Sequence, residues 1–100
     1  MRLAPLALIL ALGATPALAD DAAVNRLVAE YQDYRLAQDP IEAGNQGDRA
    51  ALSRLPDPSP QADAARAKSL TAFQGRLAAI SAAELSDEAR LNREFLAWTI

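Results

Sequence analysis

Residues 59–80 read SPQADAARAKSLTAFQGRLAAI, and this stretch fixes the class of fold. Ser59 is a helix N-cap whose hydroxyl can accept from an otherwise unpaired first-turn N–H. Pro60 suits the first helical position, where its missing N–H costs nothing, and Asp63 sets negative charge at the positive end of the helix dipole. Ala62, Ala65, Ser69, Phe73, Leu77 and Ile80 then recur at steps of three, four or seven residues, with Leu70 and Ala79 widening the stripe. Many of these side chains are small, so a neighbouring helix can approach closely. Gly75 is a weak point in mid-helix, costing up to about 1 kcal/mol against alanine.

The same periodicity extends to both sides. Upstream, Asp20 or Asp21 is placed to cap, and Val24, Leu27, Val28, Tyr31 and Tyr34 or Arg35 follow at helical spacing. Arg26 and Glu30 lie one turn apart on the polar face. Pro40 disfavours the α conformation in the residue before it, so this helix should stop near Gln38 or Asp39. Downstream, Ser86 with Asp87 and Glu88 is favoured as a third helix start over the capping box Ser81–Glu84, and Leu85 is placed as a hydrophobic staple. Leu91, Phe95 and Trp98 share one face of that helix, joined by Leu96. The expected architecture is all-α, with about three amphipathic helices.

Pro40 to Pro60 has a different composition. Gly44, Gly47, Pro56 and Pro58 punctuate it, which predicts a structured loop with one helical turn at Asp48–Arg54 seating Leu52 and Leu55. Gly44 and Gly47 are both positions where φ > 0 costs little.

Residues 1–19 read as a cleavable signal peptide. Arg2 supplies the positive start, Leu3–Leu12 an apolar run, and Ala17-Leu18-Ala19 an A-x-A signature that sets cleavage between Ala19 and Asp20. The apolar run is about half the roughly 20 residues a membrane-spanning helix needs, so no membrane anchor is expected after cleavage. Residues 20–100 are then an exported helical segment, periplasmic or secreted. The chain closes on Phe95-Leu96-Ala97-Trp98-Thr99-Ile100 without a helix stop signal, which predicts the N-terminal part of a larger, mainly helical protein.

Composition narrows the chemistry. Ten basic residues face thirteen acidic ones for a net charge of −3, and loss of Arg2 with the leader would make it −4. Such a balance, with scattered Arg and a single Lys, speaks against a nucleic-acid partner. Cys and His are both absent, which removes disulfides, Ser-His-Asp and Cys-His catalysis, and the H-E-x-x-H zinc helix. The carboxylates Asp20/Asp21, Glu30/Asp33 and Glu84/Asp87/Glu88 lack the spacing of a calcium loop and fit helix first turns or an exposed face. The segment therefore carries no catalytic, cofactor-binding or metal residue. Tyr31, Tyr34, Phe73, Phe95 and Trp98 have helical spacing that predicts core, with Tyr34 the ring expected to keep its hydroxyl in water or a cleft.

The landmarks taken in order resemble the N-terminal region of the DUF885 family of bacterial exported or lipid-anchored proteins. They are Tyr31 and Tyr34, Asp39-Pro40, Ala43, Gly47-Asp48, Leu55-Pro56-Asp57, Ser59, Arg76-Leu77-Ala78-Ala79-Ile80, Leu85-Ser86 and Leu91-Asn92. Gly44 departs from the pattern, where the family more often has Thr or Ser. The resemblance implies a largely helical zincin-type metallopeptidase. Its H-E-x-x-x-G-H-like motif and its zinc would lie in a C-terminal part beyond this region, and its substrate would be a peptide. The present segment would be scaffold packing on the remainder of its own chain, with Tyr31, Tyr34 and the loop from Pro40 to Ser59 as channel-wall residues. The alternative is a non-enzymatic periplasmic helical binding or chaperone-like module.

Overall fold

The computed structural model describes residues 16–100, and these form an all-α fold. The elements are α1 (Pro16–Gln38), α2 (Pro40–Asn45), a 3₁₀ turn (Arg49–Ser53), α3 (Pro60–Ala78) and α4 (Asp87–Thr99). Most of the proposed leader lies outside the described residues. Its proposed junction, Ala19–Asp20, falls inside α1. Among the described residues no helix is long and apolar enough to cross a membrane.

The three long helices begin and end largely as the side chains require. The Ser59 hydroxyl accepts from Ala62 N–H at 3.1 Å with Pro60 at the first position, and α4 starts at Ser86, which accepts from Ala89 N–H at 3.2 Å. Helix α1 stops at Gln38, two residues before Pro40. Its start differs from the expectation, because the helix already runs from Pro16 and leaves Asp20 and Asp21 within it rather than at its cap.

The Pro40–Pro60 stretch is more helical than its composition suggests. Asp39 caps α2 through Glu42 N–H at 3.0 Å, and Asp48 caps the 3₁₀ turn through Ala51 N–H at 3.2 Å. The turn predicted at Asp48–Arg54 is present, but it buries Ala51 and leaves Leu52 and Leu55, the residues it was expected to seat, exposed; α2 was hidden by Gly44. A Cβ at Gly44 would lie 2.3 Å from Leu52 Cδ2, so the exposed Leu52 side chain would have to turn aside to admit one. Among the described residues only Gly47 uses a positive φ, at 104°.

The core lies along α1. Val24 packs with Leu85 and Ala89, and Leu27 packs with Leu77 and Leu96. Val28 and Ile80 border both clusters and join them into one seam between α1, α3 and α4. Leu85 departs from its predicted role: the residue four positions into α4 is Arg90, so the leucine staples onto Val24 of α1 instead. Likewise Glu30 pairs across helices with Arg76 of α3 at 2.5 Å, not with Arg26 along its own helix.

Candidate functional site

The aromatic residues divide into two groups. Tyr31 and Tyr34 of α1 meet Phe73 of α3 in a three-ring cluster. Tyr31 stands edge-on to Phe73 with centroids 5.4 Å apart, and Tyr34 is 5.3 Å from Phe73. Edge-to-face contacts of this kind set the ring's positive edge against the other's negative face. The Arg76 guanidinium lies 5.7 Å from the Phe73 centroid while bonded to Glu30, tying the cluster into the α1–α3 joint. These three rings are core-like, as their spacing predicts.

Phe95 and Trp98 are not. They are 66% and 84% exposed, and Leu91, one turn before Phe95, is 66% exposed. The reason is rotational: α4 buries Ala89 and Leu96, the face opposite these three residues.

A groove of about 340 Å³ opens between α1 and α4, with Val28, Tyr31, Phe95 and Leu96 along its walls and Gln32, Arg35, Asn92 and Thr99 at its polar positions. Tyr31 therefore has a face on open space. Tyr34 does not line this groove. Its hydroxyl is shut away from solvent with no hydrogen-bond partner among the described residues, the reverse of its expected placement. A buried hydroxyl without a partner costs about 1–3 kcal/mol. Tyr34→Phe should accordingly leave the fold intact and raise its stability by about 1 kcal/mol. Urea unfolding followed by helicity checks this, and a clear loss of stability would mean that the hydroxyl has a partner in solution.

A second, more polar hollow of about 400 Å³ lies where α1 faces α2 and the 3₁₀ turn, bordered by Asp33, Gln46, Asp48 and Arg54. It contains two carboxylates and one guanidinium but no nucleophile or base pair poised for chemistry. Among the described residues no group of three or more His, Cys, Asp or Glu side chains is arranged to hold a metal ion.

The most specific polar contact is tertiary. Asp21 of α1 accepts from the backbone N–H of Ser86 at 3.0 Å, so one helix's carboxylate supplements the cap of another 65 positions away. The Ser86 hydroxyl, and after it the Ser86 backbone N–H, hold the Asp21 carboxyl below the usual carboxylate range. Asp57 is lowered in the same way, chiefly by the Ser59 backbone N–H. With the folded-state value the lower one, the stabilisation is complete above the unfolded carboxyl's ordinary value of about 4. It disappears as pH falls through the folded value. Asp21→Ala should therefore weaken the fold at pH 7 and flatten the loss of stability below pH about 4. Parallel acid titrations of helicity decide it, and identical acid slopes would show that the contact is not formed.

No protein-family profile, curated protein or solved structure matches the chain.

Proposed function

We propose that this chain is the scaffold segment of an exported hydrolase resembling the DUF885 zinc peptidases, with its helices packed beside a catalytic body. The observation that carries the reading is the row Leu91, Phe95 and Trp98, three large apolar side chains standing 66–84% exposed on one helix face. Contiguous exposed apolar surface of this kind is characteristic of an interaction face. The order of landmarks from Tyr31 to Asn92 supplies the family, and the signal-like start supplies the periplasmic or secreted location. Zinc and the attacking water would belong to the catalytic body, where a metal-bound water hydrolyses a peptide bond. In this segment Tyr31 is the wall residue with open space beside it.

A second reading, a non-enzymatic helical binding module, is favoured by the α1–α4 groove, whose apolar walls and few polar positions suit a small ligand or peptide. Translating the gene beyond codon 100 and purifying the whole product separates the two. The enzyme reading expects an H-E-x-x-x-G-H motif, bound zinc and chelator-sensitive peptide hydrolysis. A product with no such motif and no hydrolysis overturns it in favour of the binding module.

A further inference from the structure

The outward face of α4 carries a second pattern besides its apolar row. At about 100° per residue, Leu91, Phe95 and Trp98 occupy an arc of roughly 60°, and Asp87, Glu88 and Glu94 all fall within about 70° of its centre. All three carboxylates are exposed. Arg93 is turned away, its guanidinium donating to the Ile80 carbonyl at 3.0 Å, and Arg90 is engaged with Asp87 at 3.6 Å and the Leu85 carbonyl at 3.3 Å. On α4 itself the apolar row thus has acidic shoulders and no free cation, while Arg35 of α1 borders the groove on the Phe95 side as the one neighbouring guanidinium among the described residues. Asp87 and Glu88 also suit the helix N-terminus, but Glu94 lies in mid-helix, where the dipole gives it no role.

From this charge pattern we infer that the outward face of α4 docks an amphipathic helix whose own apolar stripe is bordered by Lys and Arg. The inference deepens the reading above by naming the chemistry of the element on which the scaffold packs. A second copy of the chain fits poorly, because a twofold pairing across this face brings Glu94 and Glu88 against the same acidic shoulders. A bilayer fits poorly too, since interfacial helices flank their apolar face with Lys and Arg, and anionic headgroups would repel these carboxylates. A basic-flanked helix covers the apolar row and neutralises both shoulders together.

Trp98 is the chain's single tryptophan and lies on the proposed face, so its emission reports docking directly. The 100-residue chain is titrated at low salt with two synthetic helical peptides of about 18 residues that share a leucine stripe. One has Lys shoulders and the other Glu shoulders. The Lys peptide should give a saturable blue shift that the Glu peptide does not, weakened by salt. Glu88→Gln with Glu94→Gln should reduce its affinity about two- to tenfold. Asp33→Asn with Glu42→Gln, which removes as much charge away from α4, should leave it unchanged. Equal shifts from both peptides, or equal weakening by both double variants, overturn the inference. So does a shift that grows with protein concentration alone, which indicates a second copy, or a stronger shift with phosphatidylglycerol vesicles. The titration is independent of any catalytic body: a reading frame without the zinc motif would end the enzyme reading and leave this result standing.

Discussion

Leu27→Ala should unfold a large part of the population at room temperature. Leu27 is 2% exposed and, with Val24, is one of the two largest fully buried side chains among the described residues, lying where α1, α3 and α4 meet through Leu77 and Leu96. Truncating such a leucine costs about 2–5 kcal/mol, the lost transfer energy plus the cavity left behind. A domain of this length holds only about 4–12 kcal/mol in total, on the usual scale of 0.05–0.15 kcal/mol per residue. Collapse of the surroundings offers little relief, because the neighbours come from three different helices. Asn25→Ala, exposed two positions earlier on the same helix, should stay within about 0.5 kcal/mol. Thermal unfolding of the two variants side by side measures the contrast. Similar midpoints would mean that the three-helix seam is not the core in solution.

That seam was legible because it is built from local rules. Val24, Leu27 and Val28 announce one face by spacing alone, and Ser59-Pro60 and Ser86 fix two helix starts by the chemistry of their side chains. The contacts that set the helices against each other were not legible. Asp21 looks like a cap for the helix it precedes, yet its carboxylate is used by α4, and no local pattern encodes a partner 65 positions away. Glu30 was equally ambiguous, with Arg26 one turn away in sequence and Arg76 reached only through packing. Helix α2 was obscured because Gly44 is a poor helix former, and the Leu52 side chain that lies over it comes from the following turn.

The aromatic residues show the same division. The spacing that groups Tyr31 and Tyr34 predicted a shared face, and Phe73 completes the cluster from α3. Which of the two tyrosines would reach open space depended on how α4 lies against α1. The groove takes Tyr31, while the Tyr34 hydroxyl is enclosed. Periodicity says which residues travel together; it does not say what stands opposite them.

Helix α4 offers the sharpest test of that point, because two neighbouring residues on it should behave oppositely. Leu96 is 3% exposed and meets Leu27 and Leu77, so Leu96→Ala should cost about 2–5 kcal/mol. Phe95 is the larger side chain and stands next to it, yet Phe95→Ala should change stability by no more than about 0.5 kcal/mol. Trp98→Ala should do the same, and alanine's better helix propensity returns a few tenths of a kcal/mol at either site. By size alone the ranking would be reversed, since aromatic truncations in a core cost about 3–5 kcal/mol. Urea unfolding of the three variants therefore reads the rotation of α4 about its own axis. Were Phe95→Ala as costly as Leu96→Ala, the acid-flanked row would be covered in the isolated chain and unable to receive a partner. A large loss at Leu96 with none at Phe95 or Trp98 leaves that row free, with its contribution appearing only when another helix is bound.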